Sequence, residues 1–184
     1  MYVNLPTSLT LLRIALIPFL VVAFYLPWKG THVLCAIIFA VAAITDWLDG
    51  YLARKMSLTT LFGAFLDPVA DKLMVVVTLV LIVQADPSPY VAIASAIIIG
   101  REITIASLRE WMAEIGQRHQ VAVSGLGKWK TTSQMVAIIT LLLSMDVWTG
   151  PLRQIGQVLL LVSAVLTLWS MVTYLKSALP ALRQ

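Results

Sequence analysis

The chain has 184 residues, 60% of them hydrophobic and 12% charged, with a formal net charge of +4. A mean hydropathy of +0.91 lies far outside the range of soluble domains, so composition excludes a water-soluble globular protein and implies an integral membrane one. Each span needs about 20 apolar residues, so six spans consume nearly the whole length as one domain and leave nothing for a soluble one.

The opening stretch "MYVNLPTSLTLLRIALIPFL" lacks the basic region and small-residue cleavage site of a signal peptide, so the first span is expected to be retained. Asn4 offers an N-cap and Pro6 suits a first turn, which allows a short interfacial helix ahead of that span. Apolar runs then fall at roughly 9–27, 32–53, 62–84, 90–112, 130–147 and 153–176, each near the length that crosses a hydrocarbon core of about 30 Å. In lipid the backbone must bond to itself, which makes every run a helix. Pro27-Trp28-Lys29-Gly30, Asp86-Pro87-Ser88-Pro89 and Thr149-Gly150-Pro151 punctuate three connections, and the other two run around Arg54 to Leu61 and around Ala113 to Lys128. Cys35, the single cysteine, sits in the second run, so no intramolecular disulfide forms. Trp28, Trp111, Trp129 and Trp148 lie near span ends and read as interfacial anchors. No internal repeat or low-complexity tract is present.

The bases lie mostly between the hydrophobic runs, where they mark loops facing an anionic leaflet rather than a nucleic-acid surface. Arg54, Lys55, Arg109, Arg118, Lys128, Lys130, Lys176 and Arg183 fall on one side, against Lys29 and Arg153 on the other. That bias places both termini and the two basic connections in the cytoplasm. Arg13, Asp46, Asp49, Asp67, Asp71, Lys72 and Arg101 fall inside the expected spans, within roughly ten residues, or about 15 Å of helix, of a cytoplasmic end. A charge at mid-bilayer costs on the order of 2.5–3.5 kcal/mol, so these side chains are expected to face one internal cavity rather than lipid.

Asp46 and Asp49 are spaced i, i+3, while Asp67 and Asp71 are spaced i, i+4, so each pair shares a helix face. The short connection between the second and third spans makes them expected antiparallel neighbours, with all four carboxylates at one depth. So many like charges repel unless cations join them. Oxygen donors select a hard divalent cation, Mg²⁺ or Mn²⁺, with two ions expected, and His32 and His119 stand apart, in loop or interfacial settings. Gly50, Ala53 and Gly63 keep register with the aspartates, which suits either close helix packing or a substrate against the backbone. Paired structural charges or an ion-transport pathway are the competing readings of intramembrane carboxylates. A transporter requires no such run of small residues, and it commonly shows paired repeats.

The pattern Asp46-x2-Asp49-Gly50-x2-Ala53-Arg54-x8-Gly63-x3-Asp67-x3-Asp71 resembles the signature of the CDP-alcohol phosphotransferases, membrane enzymes of phospholipid synthesis. "NLPTSLTLLRIALIP", "FGAFLDPVADKL", "REITIASLREWMAE" and "GKWKTTSQM" are similar to its bacterial branch with glycerol 3-phosphate as acceptor, so the resemblance covers most of the chain. It implies six transmembrane helices, a homodimer among membrane lipids of the bacterial inner membrane, and an active site open to the cytoplasm. The implied reaction moves the phosphatidyl group of CDP-diacylglycerol to the sn-1 hydroxyl of glycerol 3-phosphate and releases CMP. Inositol phosphate or serine would use the same metal core. By position, Asp46, Asp49, Asp67 and Asp71 would hold metal, with Asp71 also the general base, and Gly50, Ala53, Arg54 and Gly63 would line the CDP-diacylglycerol site alongside the aspartates. An acceptor that carries phosphate needs cations beside the metal. Arg101, Arg109, Lys128 and Lys130 lie at suitable span ends, although Arg109 and Lys130 also suit topology anchors. Arg101 sits about two turns inside its span, next to Glu102, where an anchor has no reason to be. Thr10 and Arg13, near the mouth, are candidates for the diphosphate.

Overall fold

Each apolar run folds as one helix. They are α1 (Leu5–Phe24), α2 (Thr31–Met56), α3 (Leu61–Ala85), α4 (Pro89–Glu114), α5 (Leu126–Asp146) and α6 (Pro151–Leu182). The computed structural model describes residues 5–56, 61–115, 126–147 and 150–182, with the side chains of 5–6, 47, 49–56, 61–62, 64–65, 126–130 and 177–182 outside that description. No strand occurs among the described residues. The helices outrun the apolar runs at several ends because polar residues such as those of 50–56 continue the ladder beyond the last apolar turn. The interfacial helix expected ahead of the first span is absent among the described residues. From Leu5 onward α1 is continuous, and Thr7 and Thr10 are 2% and 0% exposed, so its first turns pack inward instead of lying along a surface. Asn4, its expected cap, lies outside the described residues.

Among the described residues, three helices are long and apolar enough to cross a membrane: α1 over Thr7–Phe24, α4 over Pro89–Glu114 and α6 over Pro151–Lys176. In α2 and α5 the apolar stretches are shorter, Thr31–Asp46 and Thr131–Asp146. Large apolar side chains occupy both the inside and the outside. Leu20, Phe39, Leu79, Ile138 and Leu142 are buried in the core, while Phe19, Val165 and Trp169 are exposed. A soluble bundle would show one apolar stripe per helix. Trp28 and Trp111 are exposed near helix ends, whereas the side chains of Trp129 and Trp148 lie outside the described residues, as does His119.

The helices pack as a closed ring in the order α1, α2, α5, α6, α4, α3 and back to α1. One expectation is corrected here. Helices α2 and α3, consecutive in the chain, touch each other little, because α1 packs along both and stands between them. Neighbours in the ring are not all antiparallel: the first turns of α1 meet the start of α3, and the later turns of α4 meet those of α6, so these pairs run parallel, whereas the start of α2 meets the end of α5.

That second meeting belongs to a polar fastening at the end of the bundle away from the aspartates. Gly30, at φ 97°, turns the chain into α2 in the left-handed region that glycine tolerates. The Asp146 carboxylate then caps α2, accepting from the His32 and Val33 backbone N–H at 2.8 and 3.1 Å and pairing with His32 Nδ1 at 2.8 Å. Asp86, in the corner between α3 and α4, is likewise gripped from α6. It accepts from Arg153 Nε at 2.9 Å, Arg153 Nη2 at 2.5 Å and Gln157 Nε2 at 3.2 Å. The α5–α6 contact is tightest at Gly156, where an added Cβ would lie 2.8 Å from Leu141 Cγ and Cδ2 and 3.2 Å from its backbone nitrogen.

Two stability predictions follow from this packing. Gly156→Val is expected to lower the unfolding midpoint in detergent, by about 1–3 kcal/mol of overpacking. Gly100→Ala, where a Cβ meets nothing within 4 Å, should leave it unchanged, and equal midpoints for the two variants would refute the tight contact. The second concerns Asp86, whose carboxyl is held below the ordinary carboxylate range by the hydrogen-bonded Arg153. A lowered carboxyl contributes stability fully above its unfolded value near about 3.9, and loses it as pH falls through the folded value. Thermal stability is therefore expected to decline below about pH 4, with a shallower decline in Asp86→Asn; identical slopes would show that the clamp contributes nothing.

Candidate active site

The inward stripe of α1 brings Thr7, Thr10 and Arg13 to one face at helical spacing, and all three are buried. Arg13 is only 1% exposed, and its Nη1 lies 2.7 Å from Asp46 Oδ1 on α2. Thr10 Oγ1 donates to Asp67 Oδ1 on α3. Thus α1 ties together the two helices that carry the aspartates. Desolvating a guanidinium is expensive unless it is paired, so the Asp46 contact fixes the depth at which α1 meets α2.

A cavity opens where these groups converge. Arg13, Asp46 and Asp71 form its polar wall, and Phe39, Met74, Val75 and Met135 its apolar wall. Asp71 lies one turn beyond Asp67 on α3, close enough to feel the charges of Asp46, Arg13, Glu102 and Lys72. Glu102 arrives from α4 with Arg101, whose Nη1 donates to Glu102 Oε1 at 2.8 Å and whose Nη2 donates to Ser170 Oγ on α6 at 3.4 Å. The Arg101 side chain is 11% exposed. Arg109, by contrast, is exposed on the outer part of α4, with its guanidinium 5.7 Å from the ring centroid of Tyr174 on α6.

The structure therefore brings Asp46, Asp71 and Arg13 to one cavity, with Asp67 held beside them by Thr10, while Arg101 pairs with Glu102 on α4. Arg109 is engaged elsewhere, by an aromatic ring. Gly63 is buried near the start of α3. The side chains of Asp49, Gly50, Ala53, Arg54, Lys128 and Lys130 lie outside the described residues, although their backbones continue α2 and α5. Sequence reasoning gave no role to Ser170, one of three serines on α6 with Ser163 and Ser177, because a hydroxyl in an apolar helix does not stand out as a charge does. Arg13 carried one, as the sole charge within the first apolar run.

The donors facing the cavity are carboxylate oxygens, without thiolate or imidazole, which suits a hard divalent cation and not a soft one. No group of three or more acidic, histidine or cysteine side chains stands at metal-holding spacing among the described residues. The fit to a metal thus rests on donor chemistry and on the shared cavity of Asp46 and Asp71.

The sequence pattern of the CDP-alcohol phosphatidyltransferase family matches residues 3–169. A CDP-diacylglycerol--glycerol-3-phosphate 3-phosphatidyltransferase of Sodalis glossinidius is 55% identical over 178 residues, spanning 97% of this chain and 96% of that protein. Proteins of the same name from Pectobacterium atrosepticum and Haemophilus influenzae are 54% identical over 180 residues and 52% identical over 175 residues. They cover 97% and 95% of this chain, and 96% and 93% of their own lengths. A match of this extent, on a chain whose signature aspartates Asp46 and Asp71 share one cavity, shows that the protein belongs to the CDP-alcohol phosphatidyltransferase family.

Proposed function

We propose that this protein transfers the phosphatidyl group of CDP-diacylglycerol to the sn-1 hydroxyl of glycerol 3-phosphate, giving phosphatidylglycerophosphate and CMP. The observation that carries the reading is the cavity itself, in which α2 and α3 present Asp46 and Asp71 together beside the buried Arg13. The names of the relatives support glycerol 3-phosphate as the acceptor.

The acceptor's hydroxyl oxygen attacks the β-phosphorus as the bond from that phosphorus to the bridging oxygen breaks, and CMP departs with the bridging oxygen. Asp71 takes the hydroxyl proton, a task for a carboxylate one turn from a second one on the same helix. Asp46, Asp49, Asp67 and Asp71 would hold two divalent cations, Mg²⁺ or Mn²⁺, which would supply charge neutralisation on the diphosphate. Gly50, Ala53, Arg54 and Gly63 receive the cytidine diphosphate part, where small residues admit it against the helix backbones. Thr10 and Arg13 orient Asp67 and Asp46 from behind. Arg101 takes the acceptor's phosphate, with Lys128 and Lys130 as further cations at the same end of the bundle. Arg109 serves this end more remotely, through its place over Tyr174.

In this reading all six helices span the bacterial inner membrane, with both termini and the cavity on the cytoplasmic side, where Lys and Arg gather. The chain forms one catalytic domain and acts as a homodimer.

Purified protein given CDP-diacylglycerol is expected to release CMP only when glycerol 3-phosphate and Mg²⁺ are both present, and to stop on addition of EDTA. Release that required serine or inositol phosphate instead would overturn the acceptor, and none with any acceptor would overturn the reaction. Asp71→Asn is expected to lower turnover by about 100-fold or more, with binding of CDP-diacylglycerol retained. Near-normal turnover in that variant would remove Asp71 as the base.

A further inference from the structure

Arg101 is held more firmly than a phosphate ligand on a flexible stem needs to be. Its guanidinium is bracketed from two directions, by Glu102 on its own helix and by Ser170 on α6. Adjacent helical residues do not face each other, so the Arg101–Glu102 pair arises from the side chain bending back along α4. Glu102 in turn lies close enough to Asp71 on α3 for their charges to interact. Arg101 is thus fixed from two helices, by Glu102 on α4 and by Ser170 on α6, with Glu102 near Asp71 as a like charge. Arg101 Nε is buried and finds no hydrogen-bond partner among the described residues, which leaves a donor for an incoming oxygen. An arginine fork presents its donors in fixed geometry, so fixing two of its nitrogens fixes the direction of the third.

We infer that Glu102 and Ser170 are positioning residues that hold Arg101 at a set distance from Asp71, and so gauge the separation between the phosphate and the hydroxyl of the acceptor. The inference rests on the reaction proposed above. The two groups act through Arg101 and touch neither substrate. Ser170 fixes the guanidinium against α6, and Glu102 fixes it along α4. A phosphorylated three-carbon alcohol matches a gauge set this way. An acceptor without phosphate has nothing to place on Arg101, and its use is indifferent to both residues.

The test measures CMP release by the full-length protein in detergent micelles with Mg²⁺, titrating glycerol 3-phosphate and CDP-diacylglycerol separately. The variants are Arg101→Ala, Glu102→Ala, Glu102→Gln, Ser170→Ala and the doubles Arg101→Ala/Ser170→Ala and Arg101→Ala/Glu102→Ala. Ser170→Ala and Glu102→Ala are each expected to raise KM for glycerol 3-phosphate about tenfold, the effect of one hydrogen bond to a charged group, with KM for CDP-diacylglycerol unchanged. Glu102→Gln, which keeps an acceptor oxygen for Arg101, should recover part of that loss. In the doubles no rise beyond that of Arg101→Ala is expected, since a residue that acts only through Arg101 has nothing left to position. Additive effects, or a KM for CDP-diacylglycerol that rises equally, would overturn the inference and leave the reaction standing. If Arg101→Ala itself left KM for glycerol 3-phosphate unchanged, the acceptor-phosphate role and the inference would fall together. Ser170→Ala removes a single oxygen, so it decides the matter even if Glu102→Ala does not fold.

Discussion

A guanidinium buried inside a bundle of apolar helices tolerates few arrangements, and Arg13 has found one of them. With its side chain 1% exposed and the part-exposed Asp46 2.7 Å away, it binds α1 to α2 by a charge pair that is buried on the arginine side. A buried guanidinium left without its carboxylate is unfavourable, so the register of the two helices follows from the pair. One turn earlier, Thr10 fastens the same face of α1 to Asp67 on α3. Because α1 stands between two helices that barely touch each other, the ring closes through it, and the separation of the aspartate helices is set by its width. The gap so created is the cavity.

The two ends of the bundle treat charge differently. At the far end Asp86 and Asp146 are consumed by Arg153, Gln157, His32 and the backbone of α2, each making the bonds that its position allows. Those carboxylates clamp corners and helix starts, and they leave nothing for chemistry. At the near end Asp46 and Asp71 line a cavity together with Arg13, while Thr10 fastens Asp67 beside it. Rigid fastening at one end and an acid-lined opening at the other belong together, since carboxylates that must stay close need helices that cannot drift apart.

Much of the architecture was legible in the sequence, because apolar runs of spanning length admit only helices and proline and glycine mark their limits. Pro89 and Pro151, for example, open α4 and α6 where a missing N–H is no loss. The i, i+3 and i, i+4 spacings of the aspartates also reported which ones share a helix face. Spacing within a helix says nothing about what lies beside that helix, however, and the insertion of α1 between α2 and α3 escaped for that reason. The short connection from Met56 to Leu61 suggested direct contact, but a connection fixes only where two helices begin to diverge. The engagement of Arg109 by Tyr174 was hidden in the same way, as a cation at a helix end looks alike whether it meets a phosphate, water or an aromatic ring. Ser170 was beyond reach, since its meaning comes entirely from a residue 69 positions earlier in the chain.

The apolar wall of the cavity, with Phe39 and Met74 almost fully buried, carries a consequence for the substrates. Beyond it, residues 14–24, 33–45, 73–85, 89–100, 131–145 and 154–175 contain no Asp, Glu, Lys or Arg. The slab between the acid-lined opening and the fastened end is thus uncharged on every helix, and a diphosphate or glycerol phosphate has no partner with which to cross it. In the reaction proposed above, the phosphate-bearing parts of substrate and product would then stay at the end of the bundle where the carboxylates lie.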